Sequence, residues 1–207
     1  MKRIRLRRVC ALAAITAGGV FAQSSWAVTE TFGTPLSGTG PTTTFASLTY
    51  NQIGDGDDWT FTLTADNLAS IFAAPGAFIG SIAVDVPGAS PSYGSGLAMT
   101  SVSGGVSSVE VKNGGGPTGV FDFRFDLGGG SDKLTSNEMV TWTWTDSGYT
   151  SFSDFALHVQ GLEGNTAGYS GSIWYSPAPT PVPEPETYAL LMAGLGAMLL
   201  IGRRRRS

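Results

Sequence analysis

Asp55-Gly-Asp-Asp58 puts three carboxylates within four residues, a density of oxygen donors that suits Ca²⁺. Trp59 stands where a calcium loop needs Asp or Asn, and this breaks the pattern. The run Gly54–Asp58 therefore reads as a hairpin turn. A Ca²⁺ site on Asp55, Asp57 and Asp58 is the alternative, and no other cofactor is implied. His158 is the one histidine and Cys10 the one cysteine, so the common zinc sites are excluded. Nothing in the pattern sets a nucleophile and an acid beside His158. It reads as an exposed surface residue.

Two further groups bear on binding. Trp59, Trp142 and Trp144 share the apolar faces of alternating segments and read as core. Trp174 is the tryptophan expected at the surface, where its ring would stack on a sugar. Thr60-Phe-Thr-Leu-Thr64 and Thr141-Trp-Thr-Trp-Thr145 are threonine ladders. On neighbouring strands they would form a flat array of hydroxyls and methyls, as on some ice-binding faces, although threonine is also common on the wet side of any strand. Paired carboxylates of a secreted hydrolase are a further alternative. No glycine-rich phosphate loop stands between a strand and a helix, which disfavours nucleotide chemistry.

The elements carrying these residues alternate with period two. Trp59, Phe61 and Leu63 oppose Thr60, Thr62 and Thr64. Phe121, Phe123, Phe125 and Leu127 oppose Asp122, Arg124 and Asp126. Val140, Trp142 and Trp144 form another apolar face, and so do Phe155, Leu157 and Val159, which oppose His158 and Gln160. Phe78, Ile82, Val84 and Val86 predict a less polar strand, and Ser107–Val111 and Gly171–Tyr175 two more. Turn-rich segments such as Pro87–Pro91, Asn113–Pro117 and Gly128–Ser131 separate them. Helix is expected only as a turn or two over Asp66–Ala73, capped by Asp66. The expected fold is all-β, an antiparallel β-sandwich of two packed sheets, jelly-roll-like.

Charge is segregated along the chain. Five basic residues, Lys2 to Arg8, precede the apolar run Val9–Val20, which reads as a secretory signal peptide over 1–27. Ser25-Trp-Ala27 favours cleavage after Ala27, with Ala22 as the alternative. Cys10 leaves with the peptide, so the mature chain has no thiol and no disulfide. From Val28 to Ser176 only Lys112, Arg124 and Lys133 are basic, against fourteen Asp or Glu, a net charge of −11. That balance repels nucleic acid. Residues 28–176 read as one ectodomain.

The C-terminus has three abutting parts. A Pro-rich stalk, 177–186, contains Val182-Pro-Glu-Pro185 and favours extended backbone. The uncharged stretch Tyr188–Gly202 follows, then the basic cluster Arg203, Arg204, Arg205 and Arg206. The stretch spans roughly 22 Å as a helix, short of a hydrocarbon core of roughly 30 Å, and inserts by local thinning. A single transmembrane helix with an Arg-rich cytoplasmic tail is therefore expected over 187–207, with the four arginines fixing that end in the cytoplasm.

Val182, Pro183, Glu184 and Pro185, the glycine-containing apolar stretch and the terminal arginines together resemble the PEP-CTERM sorting domain, over 181–206. The same region is also called the ice-binding protein C-terminal domain. The resemblance implies recognition and processing by an exosortase in a Gram-negative bacterium, often an exopolysaccharide producer. His158-Val-Gln-Gly-Leu162 with Gly171-Ser-Ile-Trp174 is similar to a stretch upstream of the stalk in other such ectodomains. The expectation is an exported, non-enzymatic protein of the cell surface or extracellular matrix. It is held in the membrane before processing and associated with exopolysaccharide. A carbohydrate- or ice-binding module and a secreted hydrolase are the alternatives.

Overall fold

The computed structural model describes residues 27–178, apart from 55, 89–96, 118 and 146. Several expectations lie outside the described residues: the signal peptide before Ala27, Asp55, the stalk from 179, and the motif Val182–Pro185. The apolar stretch and the cluster Arg203, Arg204, Arg205 and Arg206 lie outside them too. Among the described residues, no helix is long and apolar enough to cross a membrane.

Among the described residues, eleven strands form one antiparallel sheet. They are β1 Val28–Ser37, β2 Ala46–Ile53, β3 Asp58–Ala65, β4 Phe78–Val84, β5 Leu97–Ala98, β6 Thr100–Gly104, β7 Val109–Gly115, β8 Phe121–Leu127, β9 Met139–Trp144, β10 Phe155–Gln160 and β11 Ile173–Pro177. Their order across the sheet is β5-β7-β8-β4-β10-β11-β1-β2-β3-β9-β6. Rings on strands far apart in that order touch across the interior. Phe125 on β8 lies 5.2 Å from Phe61 on β3 and 5.3 Å from Trp142 on β9, centroid to centroid. The sheet therefore wraps on itself, and its two halves face each other over one core.

Two crossings make this closure possible. Residues Val28–Phe32 of β1 pair with β2, whereas Phe32–Ser37 pair with β11. The register shifts twice in the second half, beyond Phe32 and beyond Pro35, and such bulges bend and twist a strand. At the opposite side Leu97 and Ala98 pair with β7 while Thr100–Gly104 pair with β9. One short segment thus joins both edges of the sheet, with Met99 buried between. Gly104 has φ +112° there, a backbone that L side chains rarely adopt. The expected all-β, antiparallel, sandwich-like body is present. Its layers are halves of a single, nearly closed sheet in place of two separate ones, because β1 belongs to both.

Alternation places most apolar side chains inward as expected. Trp59, Phe61, Leu63, Phe123, Phe125, Val140, Trp142, Trp144, Phe155, Leu157 and Val159 are all buried. Phe78 and Phe121 are exceptions, each only half-buried. The register of β4 against β10 shifts between His158 and Val159, whose partners are Ser81 and Ile79. The extra residue, Gly80, flips the parity, so Ile79 points inward with Ile82 and Val84 while Phe78 faces out. The single α-helix among the described residues, Leu68–Ile71, is capped by Asn67 rather than Asp66, the Asn67 side chain accepting from the Ser70 N–H at 3.3 Å. β7 extends through Gly115, beyond the expected Val111, and β11 runs from Ile173 through Pro177, past the expected strand end at Tyr175 and the expected domain edge at Ser176. Glycines do not stop β7 because Gly115 packs over β8, where a Cβ would come within 2.9 Å of Ala83 and 3.1 Å of Arg124.

Phe125 is fully buried in this interior, in contact with Phe61, Phe123, Trp142 and Trp144. Phe125→Ala should cost about 3–5 kcal/mol of unfolding free energy, read as a lowered urea midpoint. A shift under about 1 kcal/mol would mean that the layers are held together elsewhere.

Candidate functional site

The outer face of the half formed by β7, β8, β4, β10 and β11 carries an open groove of about 550 Å³, within the range of ligand sites. Its geometry follows from one cross-sheet row. Glu110 pairs with Asp126, Asp126 with Ser81, Ser81 with His158, His158 with Trp174 and Trp174 with Ser37. All of these side chains share one face. Ser81 is small and 5 % exposed, with Gly80 beside it, so a depression lies between a charged wall and an aromatic one.

The aromatic wall is a stacked pair. The rings of His158 and Trp174 lie parallel with centroids 4.2 Å apart, and both side chains are half-buried. The sequence pattern alone makes His158 an exposed surface residue. It does face outward, but it is half covered because Trp174 lies flat against it. Burial holds its imidazole down, to a pKa of about 4, helped by the Arg124 charge and opposed by Asp126. The ring is therefore neutral at neutral pH. Trp174 is the only described tryptophan that is not buried in the core.

The opposite wall is ionic. Asp126 accepts from Arg124 Nε at 2.7 Å and pairs with Lys112 Nζ at 2.9 Å, and Lys112 also lies 3.5 Å from Glu110. The hydrogen bond and charge of Asp126 push the Lys112 ammonium up from its usual value. At the end of the groove Lys133 Nζ sits 4.1 Å over the Phe78 ring. Asp132 accepts from the Ser107 hydroxyl at 2.7 Å and from its backbone N–H at 3.0 Å, which holds its carboxyl below the usual range. The Gln160 amide lies against Gly80. An aromatic shelf, an amide, carboxylates and cations surround an open cleft, offering a surface for stacking together with hydrogen-bond donors and acceptors.

The other sequence candidates fall elsewhere. The segment around Asp57 is the hairpin between β2 and β3, with Ile53 paired to Asp58. The Asp57 carboxylate accepts from the Gly148 N–H at 2.7 Å and so ties the hairpin to the loop that follows β9. Asp58 opens β3. The threonine ladders do lie on neighbouring strands, with Thr60 opposite Thr143 and Thr62 opposite Thr141. Two pairs of hydroxyls meet, Thr62 with Thr141 at 3.1 Å and Thr29 with Thr49 at 2.9 Å. One row across this face reads Thr29, Thr49, Thr62, Thr141, Ser103, without a charge. Thr145 lies beyond the end of β9.

Sequence reasoning missed a second cavity, of about 390 Å³, lined by Glu30, Asp85 and Asp154 near the point where the chain leaves β11. Burial and then the Asp154 charge raise the Glu30 carboxyl. Burial also raises that of Asp85, against a lowering hydrogen bond from the Asp122 N–H. Three residues so far apart in sequence leave no local signal. The groove left one: Lys112, Arg124, Asp126, His158, Gln160 and Trp174 all occupy polar-side positions of predicted strands or their extensions.

Residues 181–206 match the PEP-CTERM protein-sorting motif. No curated protein and no solved structure matches the chain. The motif marks an exported protein, transiently membrane-anchored and processed by an exosortase.

The His158 imidazole makes a pH prediction. In the unfolded chain it takes its proton near pH 6.5, in the folded protein near pH 4. Between those values the unfolded state binds more protons, so this group lowers stability as pH falls from about 6.5 to about 4. The raised carboxyls of Glu30 and Asp85 act in the opposite sense, which makes a difference measurement necessary. Urea midpoints of His158→Gln should fall less than those of the parent over that window. Parallel curves would mean that the imidazole protonates freely.

Proposed function

We propose that this exported, exosortase-sorted chain is a non-enzymatic protein of the cell surface or extracellular matrix, and that it associates with exopolysaccharide through the groove beside Trp174. The observation that carries the reading is the parallel Trp174–His158 pair walling a cleft with Gln160, Asp126 and Lys133 around it. A C–H-rich sugar face gains from an aromatic ring, about 0.5–1.5 kcal/mol beyond area burial, and an open groove admits a polymer. The sorting motif supplies the location in which such a polymer is met. Gram-negative export, cleavage after Ala27 and a short membrane helix ending in the cytoplasmic cluster Arg203, Arg204, Arg205 and Arg206 complete the proposed route.

The uncharged hydroxyl rows of β1, β2, β3, β9 and β6 support a second reading, an ice- or crystal-surface-binding face. It needs flatness and regular spacing, which neighbouring strands provide at about 4.8 Å. Thr62→Tyr should abolish retention on ice under this reading and leave glycan binding unchanged.

Two tests address the leading proposal. Replacing Pro183-Glu-Pro185 by alanines should leave the precursor in the inner membrane with its apolar stretch attached, seen by fractionation and mass spectrometry. Normal release and trimming of that variant would defeat the sorting route. Trp174→Ala should weaken retardation of the mature protein in gels containing the host's own exopolysaccharide by about tenfold, near 1.4 kcal/mol. Equal retardation of parent and variant would remove the groove from the function.

A further inference from the structure

The cations of the exported domain are gathered in one place. Between Val28 and Ser176 the chain has three basic residues against fourteen acidic ones, and Lys112, Arg124 and Lys133 all line the groove beside Trp174. They come from β7, β8 and the loop before β9, so the fold, not local sequence, assembles them. Lys112 and Arg124 are engaged by Asp126. Lys133 makes no ion pair among the described residues; its ammonium rests on the Phe78 ring. Such a charge has an unfilled place for one anion. The neutral His158 ring adds no charge of its own and leaves the aromatic wall apolar.

We infer that the groove binds an acidic glycan, with the carboxylate of a uronic acid unit on Lys133 and its sugar ring against the Trp174–His158 wall. Gln160 and Asp126 line the same groove, an amide and a carboxylate for the ring hydroxyls. A single carboxylate per sugar matches a single unpaired ammonium. A nucleic acid, with a charge about every 1.7 Å, would meet Glu110, Asp126 and Asp132 as well, and a membrane surface cannot enter a cleft between two walls. The many carboxylates elsewhere on the domain do not cancel this local attraction, because salt screens charges beyond about 8 Å at physiological ionic strength.

This rests on the sugar-binding reading of the groove and is testable apart from it. The mature protein would be run in affinity gels containing alginate, polygalacturonate or hyaluronan, each beside its carboxyl-reduced form, with dextran and dextran sulfate as further arms. At least one uronate polymer should bind about tenfold more tightly than its carboxyl-reduced form. Lys133→Gln, with an unchanged melting temperature, should level the two, and Lys133→Arg should restore the preference. Trp174→Ala should weaken both forms alike. Equal or tighter binding of the reduced polymers overturns the acidic-glycan inference while the sugar reading stands. Equal binding of dextran sulfate reveals a general anion patch and also overturns it. A preference that persists in Lys133→Gln removes Lys133 as the carboxylate partner. Binding of no polymer at all overturns both readings.

Discussion

Phe125 meets Phe61, Trp142 and Trp144 across the interior at 5.2 to 5.5 Å, and through that contact the two layers stay face to face. The described domain contains no cysteine, so no disulfide closes it. A fully buried Phe contributes about 1.5–3 kcal/mol, and edge-to-face geometry adds to this. Phe61 stacks on Trp142 at 5.3 Å, and Phe152 and Tyr50 extend the same cluster toward Phe155 on the other half. The layers are thus joined by interdigitated rings, and the strand ladder passes from one to the other through β1 and through Leu97–Gly104.

Closure also decides what the outside can do. Once the rings fix the two halves, the polar side of each half becomes a separate working surface. On one, strands β1, β2, β3, β9 and β6 present uncharged hydroxyl rows. On the other, the order β7-β8-β4-β10-β11 sets an ionic cluster, a small serine and a stacked aromatic pair side by side. The bulge at Gly80 belongs to this second surface: it turns Phe78 outward, where Lys133 covers it. A packing irregularity in β4 thereby supplies one end of the groove.

The C-terminal motif and the described domain are distinct parts of the chain. The sorting motif at 181–206 implies export and processing by an exosortase. The Ala178 N–H donates to the Thr31 carbonyl at 2.6 Å, so β11 is tied to β1 as far as the described residues run.

Much of this was legible in the residues. Alternation of Trp59, Phe61 and Leu63 against three threonines declares a strand and its two faces, because side-chain direction in a strand has period two and depends on nothing distant. The same local rule set Trp174 and His158 apart from the core. β1 and β2 left weaker traces: β1 changes layers midway and contains Gly33 and Pro35, so no single alternation runs through it. The cap of the helix slipped by one residue, as local signals of this kind do. The all-β class, the inward aromatic faces, the segregation of charge and the sorting address were all readable from the chain alone, since each is a property of neighbouring residues. Packing in three dimensions settled the rest. It put β10 between β4 and β11 and laid Trp174 flat on His158. It also brought three cations from separate elements into one groove, and Glu30, Asp85 and Asp154 into one cavity. Strand partners are chosen by closure of the whole sheet, an energy summed over contacts far apart in sequence. No local pattern encodes that sum.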